Sequence, residues 1–215
     1  MKKEIIIFLL LISSISSCKK ATKRKVVNYW KVESYEMVKI ENVPGGSNSI
    51  IMNIKDSKYK CTGDFFNKED TTEDGKVQYF FFTIKKDGTW SSEKDLIYQK
   101  TFAYNTQRWV EKESGTWSFL GKSKADSYKK NERIIFNTLK RTYTKGDINN
   151  FIHTMNYTYL PGESLVIYSI TEASNNKLKL ELQESSSFNS STTSVIGETY
   201  KTMNSTKISL VSALP

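Results

Sequence analysis

Beyond residue 26, apolar and polar residues alternate with a period of two, and no long segment keeps the helical period of about 3.6 residues. The cleanest run is Lys177-Leu178-Lys179-Leu180-Glu181-Leu182-Gln183, which places Leu178, Leu180 and Leu182 on one face of a strand. Asn175-Asn176 precedes it, and asparagine accepts the positive φ that a two-residue hairpin turn requires. Upstream lie Leu165 to Ile170, rich in β-formers, and Pro161-Gly162, the centre of a type II turn. Asn156 to Leu160, Arg133 to Tyr143, Gly115 to Phe119 and Lys207 to Val211 read as further strands, with Lys145-Gly146-Asp147 as a separator. The first half adds Trp30 to Ile40, ended by Pro44-Gly45-Gly46. It continues with Tyr79 to Lys85, turned by Asp87-Gly88 into Thr89-Trp90, and then Phe102 to Val110.

Neighbouring strands with short turns make an antiparallel up-and-down meander. A sheet of roughly eight to ten strands removes its exposed edges by closing into a barrel. The pattern therefore predicts an all-β chain. Three segments stand apart from it. Ser92-Glu93-Lys94-Asp95 has the form of a helix-capping box, Asp56 to Asn67 carries mixed signals, and Ser185 to Thr193 is a low-complexity Ser/Thr-rich loop or an exposed bulge in the last hairpin.

The N-terminus follows other rules. Lys2 and Lys3 precede an unbroken apolar run from Ile5 to Ile12, which is too short to span a bilayer and has the length of a signal-peptide core. Ile15-Ser16-Ser17-Cys18 then resembles the lipobox of bacterial lipoproteins. That resemblance implies cleavage before Cys18 and acylation of its thiol. Each buried CH₂ of the chains contributes about 0.8 kcal/mol, so several chains hold where one does not. The organisation expected is a signal peptide over 1–17, the lipidated Cys18 with a basic tether over 18–26, and one barrel domain over 27–215. No other segment reaches spanning length, so the expectation is a chain anchored to the membrane by its N-terminal lipid.

Charge gains meaning from this division. The whole chain has 32 Lys+Arg against 23 Asp+Glu, but from Val26 onward there are 25 basic and 22 acidic residues. The excess sits in the signal peptide and in Lys19, Lys20, Lys23, Arg24 and Lys25, beside the lipid. A nucleic-acid protein spreads basic charge over a folded face, so no nucleic-acid partner is expected. In one Gram-negative lineage, acidic residues soon after the lipidated cysteine mark lipoproteins for the cell surface. Lys19 and Lys20 depart from that signal, which favours an outer-membrane protein facing the periplasm.

Candidate chemistry is sparse. One histidine, His153, excludes multi-histidine metal sites, and two cysteines exclude a disulfide framework. With Cys18 acylated, Cys61 remains as a lone thiol, read as a small buried apolar residue. Glu69 to Gly75 is acidic, but its spacing is not that of a calcium loop and it reads as a solvated turn. Asp70-Thr71-Thr72 resembles the O-glycosylation sequon of the same lineage, which makes Thr71 a candidate acceptor. Scattered carboxylates such as Glu111, Glu113 and Asp126 are the only support for catalysis, so neither enzyme activity, metal nor cofactor is expected.

The aromatic residues are more telling. In Tyr79-Phe80-Phe81-Phe82, Phe80 and Phe82 point one way and Tyr79 and Phe81 the other. Trp90, Tyr98, Phe102, Tyr104, Trp109 and Trp117 fall on neighbouring strands. Such rings either line a cavity for an apolar or amphipathic molecule or simply fill the barrel.

Trp30, Lys86-Asp87-Gly88-Thr89-Trp90, Ser114-Gly115-Thr116-Trp117-Ser118-Phe119, and Tyr168-Ser169-Ile170-Thr171 with Lys177-Leu178-Lys179-Leu180 together resemble the lipocalin-like domains of bacterial lipoproteins over roughly residues 27–184. The Gly-x-Trp of lipocalins proper stands here as Asn28-Tyr29-Trp30. The resemblance implies a small antiparallel β-barrel that accepts an apolar ligand. Phe80, Phe82, Trp90, Tyr98, Phe102, Trp109 and Trp117 are then the candidate ligand-binding residues. The alternative is a filled barrel that docks to another envelope protein through its outward rings.

Overall fold

A computed structural model describes residues 22–43, 46–65, 70–100, 105–121, 131–149, 152–189 and 199–213. Cys18, Phe102, Tyr104 and Asp126 lie outside these residues, as does part of the Ser/Thr-rich stretch. The described residues form a short helical turn over 22–26 and eleven strands. These are β1 (Asn28–Val43), β2 (Gly46–Lys55), β3 (Lys58–Phe65), β4 (Thr71–Ile84), β5 (Thr89–Lys100), β6 (Gln107–Leu120), β7 (Glu132–Asp147), β8 (Ile152–Thr158), β9 (Leu165–Ala173), β10 (Lys177–Asn189) and β11 (Thr199–Ser212). All pairings are antiparallel, and the meander is closed by β6 against β7 and by β1 against β11. The expected up-and-down barrel is therefore the architecture found.

The strand count differs between the two ends. At one end β1 pairs directly with β4, Trp30 opposite Phe82, so the wall there is the eight strands β1, β4, β5, β6, β7, β9, β10 and β11. From Ser34 onward β1 pairs with β2 instead, and the β2–β3 hairpin widens the wall. That hairpin turns at Asp56 (φ 51°) and Ser57 (φ 60°), both left-handed as a tight two-residue turn demands. β8 and β9 run along the same edge of β7, interrupted at Leu160–Glu163, where Gly162 has φ 91°. They act as one broken strand, which gives ten rows around the wide end.

β9 pairs with β10 only over Leu178 to Glu181. Beyond that, β10 continues to Asn189 against β11 alone, while β8 is paired with β7 alone. No backbone pairing joins β8 to the upper part of β10 among the described residues, so the wide end has a seam in its wall.

The narrow end is filled. Trp30, Leu178, Leu180, Leu210, Ile134 and Val26 are fully buried, and Trp30 Nε1 donates to the Val26 carbonyl at 2.8 Å. That bond folds the helical turn across the closed end. Above this floor the rings pack on one another, Trp90 to Phe136 at 4.9 Å between centroids and Phe80 to Phe82 at 5.5 Å. Each such side chain contributes roughly 1.5–3 kcal/mol by leaving water.

Three local expectations are corrected. Ser92-Glu93-Lys94-Asp95 starts no helix and lies inside β5, because Ser92, Lys94, Leu96 and Tyr98 share an inward face paired on both sides. Lys145-Gly146-Asp147 is itself the paired end of a strand, and the turn follows Asp147. β7 runs through these residues, Gly146 lying opposite both Arg108 and Ile152. The acidic stretch becomes strand from Thr71, where Glu73 pairs with Cys61 and Lys100. Gly75 allows this register, since a Cβ there would stand 2.1 Å from the Ile97 carbonyl oxygen and 2.6 Å from Tyr98.

Candidate functional site

Alternation continues upward from the packed floor, but the inward residues change character. Ser92 and Lys94 follow Trp90 on β5, Glu113 and Glu111 follow Trp117 on β6, and Arg141, Tyr143 and Lys145 follow Phe136 and Thr138 on β7. A bulge opposite Ser114 and Gly115 keeps the β7 set turned inward. The register brings Lys94 opposite Glu111 and Arg141 opposite Glu113. The result is a charged layer inside the barrel.

Glu111 is its centre and is 4% exposed. Lys94 Nζ stands 2.5 Å from its Oε2, and Arg141 pairs with its Oε1. Arg141 Nε also lies 3.5 Å from Glu113 Oε1, and the Ser92 hydroxyl reaches Glu113 Oε2 at 3.5 Å. Burial pushes the Glu111 carboxyl up, yet Lys94 and Arg141 outweigh it and hold the group below its ordinary value. Glu113 moves the other way, raised first by burial and then by the charge of Glu111. Tyr35, facing both from β1, is pushed up to about 12 by burial and then by the two carboxylates.

A second group sits nearer the wide end. The Tyr59 hydroxyl donates to Glu73 Oε2 at 2.6 Å, and Lys100 Nζ lies 3.7 Å from Oε1 of the same carboxylate. Burial and then this carboxylate raise the Tyr59 phenol well above its ordinary value. Cys61 is half-buried here and its thiol is raised by burial and by Glu73. Lys145 is lowered by burial, and its Nζ lies over the rings of Tyr98 at 5.4 Å and Trp109 at 5.3 Å. Lys94 covers the same Trp109 ring at 4.1 Å, so one indole attracts two cations. The Tyr98 hydroxyl and Trp109 Nε1 are buried without a hydrogen-bond partner among the described residues.

The predicted ring set divides accordingly. Phe80, Phe82, Trp90 and Trp117 belong to the packed floor, and Tyr98 and Trp109 to the charged layer, while Phe102 falls outside the described residues. Tyr79 and Phe81 face outward, as alternation requires, and stack with Tyr29 in a ladder whose ring spacings are 5.0 and 6.1 Å. Thr71 opens β4 at the wide end and is exposed. His153 lies on β8 opposite Lys145 and is exposed.

Sequence reasoning took Glu111 and Glu113 only as scattered carboxylates and missed Lys94, Arg141 and Lys145. The available signal was their place at inward positions of strands whose other inward residues are large and apolar. Among the described residues, no group of three His, Cys, Asp or Glu is placed to hold a metal ion. Outward positions carry pairs such as Lys112 with Glu93 and Lys179 with Glu172. That polarity is the reverse of a transmembrane barrel, whose apolar band faces outward. No protein-family model, curated protein or solved structure matches the chain.

Proposed function

We propose that this chain is a lipoprotein of the bacterial outer membrane, anchored through Cys18, whose barrel binds a small amphipathic molecule and performs no chemistry on it. The observation that carries this reading is the charged layer around Glu111, Lys94 and Arg141 above a packed aromatic floor. Apolar filling of the same volume is often equally or more stable than a buried ion pair, so stability alone is a weak reason to keep charges there. A ligand with a charged group and an apolar body matches such a wall. The charge would meet Lys94, Arg141 or Lys145, and the apolar body would lie against inward residues such as Met37, which packs on the core. Catalysis is less well supported, because Glu111 is occupied by two cations and its neighbour shares one of them.

Titration with a fluorescent fatty acid tests the binding. Saturable uptake that Arg141→Met weakens is the expected result, and no uptake by the folded protein would overturn it. Mass spectrometry of the mature N-terminus tests the anchor.

A docking role is the second reading. Leu160 is 74% exposed, and Leu165 and Ile167 remain exposed on the outer face of β9. They offer apolar surface to another envelope protein, and the Tyr29–Phe81–Tyr79 ladder on β1 and β4 is a separate outward patch on another side of the wall. Cross-linking in the intact envelope with recovery of one dominant partner would favour this role.

A further inference from the structure

The N-terminal turn and the β4–β5 hairpin meet at the closed end of the barrel. Trp117 joins them, its Nε1 donating to the Lys85 carbonyl at 2.8 Å while Lys23 Nζ lies 5.8 Å from its ring centroid. Beside this junction is a hollow whose lining among the described residues is Lys23, Arg24, Val27 and Lys86. Lys23, Arg24, Lys85 and Lys86 are all exposed. The one acid in the turn, Asp87, is also exposed and accepts from the Thr89 amide at 2.9 Å and the Thr89 hydroxyl at 2.6 Å, and the four cations outnumber it. At the wide end Asp64, Asp70 and Asp74 are exposed around the β3–β4 connection, with the exposed Lys60 and Lys100 opposite Asp74 and Glu73, so acids and bases are mixed there.

We infer that this basic closed end is a membrane contact in its own right, seating an anionic phospholipid head group between Lys23, Arg24 and Lys86. The inference rests on the acylation of Cys18 proposed above. Four residue steps separate Cys18 from Thr22, a reach of at most about 14 Å. A lipid on Cys18 therefore keeps these cations within one or two screening lengths of the bilayer, about 8 Å each at physiological salt. Opposite charge then favours the closed end facing the lipid, which turns the mouth and the seam away from it. The anchor supplies proximity, and the hollow supplies orientation.

Hydrogen exchange on the lipidated protein reconstituted into vesicles tests this. The comparison is phosphatidylcholine alone against the same lipid with about a quarter phosphatidylglycerol, a composition chosen to give a dense anionic surface. The expected result is several-fold slower exchange across Lys85 to Gly88 in the anionic vesicles. High salt, or Arg24→Glu combined with Lys86→Glu, should abolish the slowing, and both side chains are exposed enough to change without unfolding the barrel. Equal exchange in the two vesicles, or slowing at Asp70 to Asp74 instead, would overturn the inference alone. Protein that fails to float with neutral vesicles lacks the acyl anchor, which overturns the proposed anchoring and this inference with it.

Discussion

Lys94 and Glu111 form an ion pair inside the barrel, Nζ to Oε2 at 2.5 Å, with the Lys94 ammonium also 4.1 Å from the Trp109 ring centroid. The side chains are 16% and 5% exposed, so the Glu111 charge has almost no access to water and the Lys94 charge little. Removing one partner strands the other. Lys94→Met is expected to destabilise the fold by about 3 kcal/mol, the lower end for a broken buried pair because Arg141 still holds Glu111. Pairing it with Glu111→Leu should recover much of the loss, as read from urea midpoints of the two single variants and the double.

The two carboxylates respond to pH with opposite sign. Glu111 is held below its ordinary value of 4.5, so its stabilisation is present above that pH and is lost as pH falls through the folded value. Glu113 is raised, so the folded state binds the proton more tightly and stability is lost as pH rises from 4.5 through the folded value. Glu111→Gln should therefore destabilise at neutral pH, and Glu113→Gln should stabilise there. Both differences should vanish well below pH 4.5 in denaturation curves taken across the acid range.

At alkaline pH the buried phenols dominate. Tyr35 stays neutral in the fold until about pH 12, whereas in the unfolded chain it ionises near 10. Tyr59 and Tyr98 are raised as well, each first by burial. The unfolded state then loses protons that the fold keeps, and stability should fall steadily above pH 10. Ultraviolet titration of the phenolates should show late-ionising tyrosines, with Glu111→Gln lowering the Tyr35 transition.

Gly75 lies opposite Tyr98 with no room for a side chain. Gly75→Ala forces β4 away from β5, and overpacking of this kind costs about 1–3 kcal/mol. The expected outcome is a lower melting temperature together with new accessibility of Cys61, followed by the rate of thiol labelling. An unchanged melting curve would mean the strands part without strain.

Period two along the chain determined the all-β class, the inward face of Leu178 and Leu180, the division of Tyr79 to Phe82 between two faces, and turns such as Asp87-Gly88 and Pro161-Gly162. These are properties of neighbours in sequence, and alternation or a positive φ expresses them directly. Tertiary structure decided the rest. Whether Ser92 to Asp95 starts a helix or continues a strand depended on partners in β4 and β6 that no local pattern specifies. The charged layer likewise arises only when three strands come into register, placing Lys94, Glu111, Glu113 and Arg141 within reach of one another across long sequence separations. Eight strands at the floor, ten at the mouth and a seam between β8 and β10 follow from where pairing stops, which is settled by closure of the whole barrel.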